Sequence, residues 1–132
     1  MKTDTKEKRD SKVLPGVDIE YSDRVQIDDL LGTLGNHVLA ETVVVINRTS
    51  KKLQWPLRKI FVEIGKDLEV QDWEIVLLVL EFESSFSSAN KYLRVLYKEL
   101  DKLAATFDED SRTVFQRLIY FDVKTINTLS GN

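Results

Sequence analysis

Ile27, Leu30, Leu31, Leu34 and Val38 recur at spacings of three, four and seven, which places them on one face of a helix. Asp23, with Gln26 three residues later, has the form of a capping box at its start. Gly32 and Gly35 each weaken that helix by roughly 1 kcal/mol. Beyond Val38 the run Thr42-Val43-Val44-Val45-Ile46 is β-branched throughout, which locally favours a strand. The pattern predicts a helix over 24–47, with a strand at 42–47 as its rival.

After the polar link 48–55, Trp55-Pro56 opens a second predicted helix, 56–68, with Leu57, Ile60, Phe61, Ile64 and Leu68 on one stripe. The stretch WEIVLLVLEFESSF, beginning at Trp73, shows neither strict alternation nor a one-sided stripe. Periodicity cannot separate buried helix from buried strand there. Leu93, Leu96, Leu100, Leu103 and Phe107 form a heptad-like seam. Asp108 to Ser111 supplies a cap for a last helix, whose broad apolar face carries Val114, Phe115, Leu118, Ile119, Phe121, Ile126 and Leu129.

These patterns predict an all-α bundle of about five helices at 24–47, 56–68, 70–84, 88–106 and 111–128. The helix containing Ile75–Leu80 would be central, because an element apolar all round belongs inside a core. The alternative is α+β, with strands at 42–47, 74–82 and 118–124, and a further short strand at Val17–Tyr21. Too few strands for a stable sheet decide for the helices. Residues 1–12 are expected to be a charged, disordered tail, and 13–132 a single domain.

Composition narrows the function classes. The chain of 132 residues has net charge -3 and no cysteine, which excludes disulfides, zinc–thiolate sites and cysteine nucleophiles. The apolar run Ile75–Leu80 is six residues long, against roughly 20 for a membrane-spanning helix. A cytoplasmic protein without membrane contact is expected. His37 is the one histidine, four residues from Glu41, too little for a metal site. Glu81 and Glu83 flank Phe82 and read as solvated ends of a buried element rather than an acid/base pair. No Walker loop, dinucleotide fingerprint or nucleophile elbow is present. An enzyme, a cofactor and a metal are therefore not expected.

Charge is segregated. Arg48, Lys51, Lys52, Arg58 and Lys59 surround Trp55, and Lys91, Arg94, Lys98 and Lys102 form a second basic stripe. An acidic segment lies between them. Such patches suit docking onto another protein or a second copy. They also suit phosphate contacts, with Trp55 as a stacking platform for nucleic acid.

LEFESSFSSANKYL, residues 80–93, resembles the strand, Ser-rich turn and helix of STAS-like regulatory proteins. The resemblance implies a sheet and a phosphorylation switch at Ser87 or Ser88. The Asp-Ser-Ser-Gly core of that motif is replaced by Ser87-Ser88-Ala89-Asn90, without Asp or Gly. The expected function is a non-catalytic protein-interaction or regulatory module that self-associates. The alternatives are a small nucleic-acid-binding subunit and the phospho-regulated switch.

Overall fold

The computed structural model describes residues 17–66 and 73–126. The elements run β1 (Asp18–Tyr21), α1 (Arg24–Lys52), β2 (Leu57–Lys66), β3 (Glu74–Phe82), α2 (Phe86–Thr106), α3 (Glu109–Leu118) and β4 (Ile119–Thr125). The protein is α+β, not an all-α bundle. A four-stranded sheet of order β1-β2-β3-β4 carries the helices. β1 pairs parallel with β2, β2 antiparallel with β3, and β3 parallel with β4.

Three predicted helices are thereby corrected. The predicted helix 70–84 is, over Glu74–Phe82, the strand β3, which lies inside the sheet instead of at the centre of a bundle, and residues 70–72 lie outside the described residues. Its side chains at Val76, Leu78, Leu80 and Phe82 enter the core, and its other apolar residues face the opposite way. A strand covered on both faces reads as a continuous apolar run. The predicted helix 56–68 is β2. Its stripe Leu57, Ile60, Phe61, Ile64 has helical spacing, but Val62 completes a second pattern of period two, Ile60-Val62-Ile64, and the sheet selects that one. Leu68 lies outside the described residues, as does the charged tail expected at 1–12.

The predicted helix 111–128 divides in two over its described residues, and Leu129 of its expected apolar face lies outside them. Helical spacing holds through Val114, Phe115 and Leu118. From Ile119 the chain alternates, with Ile119, Phe121 and Val123 toward the core and Tyr120, Asp122 and Lys124 outward. The strands 74–82, 118–124 and Val17–Tyr21 of the alternative reading are thus present, but its strand at 42–47 is not.

That β-branched run is helical because α1 is the helix around which the others pack. Thr42, Val43, Val45 and Ile46 are all buried, against α2, α3 and β2. Tertiary burial overrides the local strand preference, and Thr42 Oγ1 donates to the Val38 carbonyl at 2.8 Å. Asp23 caps α1 by accepting from the Gln26 N–H at 3.0 Å. Gly32, at φ 69°, breaks the helix, a backbone state that side chains disfavour. Asn36 Nδ2 donates to its carbonyl at 2.9 Å. By length and composition α1 is the one helix, among the described residues, apolar enough to cross a membrane.

The amphipathic α2 is placed as its seam implies. Leu96 and Leu100 are fully buried, and Leu93, Leu103 and Phe107 pack partly against the core. Ser85 caps its start by accepting from the Ser88 N–H at 3.1 Å. At its end, Arg112 of α3 donates from Nε to the Ala104 carbonyl at 3.1 Å and from Nη2 to the Phe107 carbonyl at 2.9 Å. Helix ends leave such carbonyls without intrahelical partners.

Candidate functional site

The three helices of the described residues pack on one face of the sheet, so the side chains on the other face stand in ordered rows set by the strand register. One row holds Asp18, Lys59, Glu81 and Lys124. The next holds Glu20, Phe61, Val79 and Asp122, and the third Glu63, Leu77 and Tyr120. Gly65 and Ile75 close the series. The centre is apolar. Phe61, Leu77 and Val79 are half-buried and outside the core cluster.

Four of the charges around this centre form two ion pairs. Lys59 Nζ lies 3.1 Å from Glu20 Oε1, and Lys124 Nζ lies 3.8 Å from Glu81 Oε2. Both ammonium groups also sit over the Phe61 ring, at 5.4 and 4.8 Å from its centroid. The hydrogen bond that Lys59 donates to Glu20, and next the charge of Glu20 itself, hold the lysine above its ordinary pKa. Glu63 has no ion-pair partner among the described residues.

A groove of about 690 Å³ lies at the outer edge of the sheet, between β1 and α1. Ile19, Leu39, Ala40 and Val43 give it apolar walls, and Arg24 and Asp28 stand at its rim, 3.3 Å apart. Arg24 also stacks on the Tyr21 ring, 4.1 Å from its centroid. At the opposite edge a smaller hollow, of about 310 Å³, is lined by Tyr97, Phe115, Tyr120 and Phe121. Burial, and then the nearby Asp122 carboxylate, push the Tyr97 phenol up.

The residues singled out from sequence are dispersed. Arg48, Lys51 and Lys52 are exposed at the end of α1, and Lys91, Arg94, Lys98 and Lys102 are exposed along α2. Arg58 is ion-paired with Glu83, Lys59 with Glu20, and Lys102 with Glu99. Trp55 is packed, with its ring 5.1 Å from Tyr92 and 6.2 Å from Phe82. It locks the link to α2 and the end of β3. Sequence reasoning missed the face around Phe61, Leu77 and Val79. Its signal was the apolar run of β3, which puts apolar side chains on both faces of the sheet once it is a strand.

The remaining chemical candidates stand apart. His37 is exposed on α1 and Glu41 half-buried one turn on. Glu81 and Glu83 each meet a different cation. Among the described residues, no three histidine or acidic side chains gather as a metal site would require. The Ser-rich turn joins strand to helix, as its resemblance implied. Ser87 is exposed, and Ser88 is half-buried, with its backbone N–H given to Ser85 Oγ. No protein-family model matches the chain, and neither a curated protein nor a solved structure is similar to it.

Proposed function

We propose that the protein is a non-catalytic interaction module that self-associates by packing the outer face of its sheet against the same face of a second copy. One observation carries this reading. β3 is apolar on both sides, yet the described helices cover only the side of Val76, Leu78 and Leu80. Leu77 and Val79 complete a half-exposed patch with Phe61 on the other side. Burying such a patch is worth about 25 cal/mol for each Å² of apolar surface removed from water. Sheets pack face to face in this manner at about 10 Å separation.

A second copy suits the charge pattern. Lys59 and Lys124 lie at one end of the patch and Glu63 toward the other. A two-fold axis that reverses the strand direction brings cations of one copy toward Glu63 of its partner, which is the self-complementarity that a symmetric dimer needs.

Sedimentation velocity on the full chain tests the proposal. The chain is expected to sediment as a dimer at micromolar concentration, and Val79→Lys as a folded monomer, with the far-UV circular dichroism of the parent. A parent chain that is monomeric throughout, or a Val79→Lys variant that still dimerises, contradicts it.

A further inference from the structure

The register of β1 shows which of its backbone groups are in use. Ser22 donates its N–H to the Val62 carbonyl at 3.0 Å, so Ser22, Glu20 and Asp18 bond toward β2. Ile19 and Tyr21 therefore direct their N–H and C=O groups away from the sheet, and among the described residues these groups have no partner. The other edge is different. There the outward N–H of Val123 is taken by its neighbour's carboxylate, Asp122 Oδ1, at 2.8 Å. One edge is partly guarded and the other is open, and an open edge is a template for a further strand.

The open edge is also the one with a groove beside it. Ile19 and Tyr21 form one wall of the 690 Å³ space, and α1 forms the other through Leu39, Ala40 and Val43. The break at Gly32 lies along that wall. A strand laid against β1 would direct every second side chain into this apolar space. Its other side chains would stand on the outer face beside Asp18 and Glu20. Only Glu20 of these two carboxylates is ion-paired by contact, and Asp28 adds a further acid at the rim against Arg24.

We infer that the β1 edge and the β1–α1 groove bind an extended peptide segment of another protein as a fifth strand, with apolar residues alternating with basic ones. The open backbone groups supply the pairing, the groove takes the apolar residues, and Asp18 with Glu20 selects the cations. The edge and its groove lie beside the patch of Phe61, Leu77 and Val79 proposed to join two copies, and Asp18 and Glu20 stand at the margin between them.

The test uses the full chain and a labelled peptide of alternating lysine and valine, eight residues long by design. Its counterparts carry glutamate for lysine, or proline at every second position to remove backbone donors. Saturable binding of the Lys/Val peptide is expected, with slowed amide exchange at Ile19 and Tyr21. The glutamate and proline peptides should bind at least roughly tenfold more weakly. Ala40→Trp, which fills the groove from an exposed position, and Asp18→Lys should weaken the Lys/Val peptide to a similar degree while the circular dichroism is unchanged. The inference is overturned if the Lys/Val peptide does not bind at millimolar concentration, if both variants bind it as the parent does, or if the proline peptide binds equally well.

Discussion

Lys124 holds its Nζ 4.8 Å from the centroid of the Phe61 ring, although the two residues stand on β4 and β2, with β3 between them. The lysine reaches across the central strand and shares the ring with Lys59. Its pairing with Glu81 keeps the charge at the margin of the apolar patch. Lys124→Ala is expected to lower monomer stability by no more than about 1 kcal/mol, because the group is exposed and screened. Urea unfolding of dilute protein measures this.

Adjacent residues of β3 should behave oppositely. Leu80 is fully buried in the core, and Leu80→Ala is expected to destabilise the fold by about 2–5 kcal/mol. Val79 faces outward, so Val79→Ala should change the stability of dilute protein far less while weakening self-association. Unfolding and sedimentation, measured on both variants, separate the two effects.

Two glycines of α1 are structural for different reasons. Gly32 has φ 69° with open space around it, so Gly32→Ala should be destabilising by about 1–3 kcal/mol through backbone strain alone. At Gly35 a Cβ would stand 2.7 Å from Leu31 Cβ, so an alanine there forces the helix wall itself to shift. Thermal unfolding should show a lower midpoint for both variants.

Arg112 closes the end of α2 with two hydrogen bonds to main-chain carbonyls. Arg112→Ala is expected to lower stability by about 1–3 kcal/mol. Arg112→Lys should not restore it, because an ammonium lacks the planar fork that reaches both carbonyls. Amide exchange at the last turn of α2 should quicken in both variants.

Two groups whose titration is shifted first by a hydrogen bond make stability depend on pH. The backbone N–H of Ser111, and then its hydroxyl, hold the Asp108 carboxyl below the ordinary aspartate range. Its contribution to stability is fully present above the unfolded value near pH 4 and is lost as pH falls through the lowered folded value. Glu20 holds Lys59 high, so that contribution is present below the unfolded value near pH 10 and is lost as pH rises through the raised folded value. Asp108→Asn, which keeps a capping oxygen, should flatten the acid limb of the urea midpoint against pH. Lys59→Met should flatten the alkaline limb.

Much of α1 and α2 was legible because each carries one period and a marked start. Asp23 caps α1, and the Leu96–Leu100 seam fixes the buried side of α2. The sheet was not legible for a physical reason. In β2, Ile60 and Ile64 satisfy helix and strand spacing together, and only pairing with β3 decides between them. In β3, an apolar run has no period to read. At Leu118–Ile119 the period changes without a glycine or proline to mark it. Because the missed strands build the outer face, the face was missed with them. The sequence instead marks Trp55 among its basic neighbours, whereas its ring is held by Tyr92 and Phe82.

If two copies meet through the outer face of the sheet, labels on that face lie close to one another across the dimer. The chain contains no cysteine, so Glu63→Cys and Lys98→Cys each carry a single spin label, one on the outer face and one on the exposed side of α2. Pulsed dipolar spectroscopy at a concentration where the protein is dimeric should give a short, narrow distance between copies for the label at 63, and a much longer one at 98. A shorter distance between the labels at 98, or no dipolar coupling at 63, would show that the copies do not meet through this face.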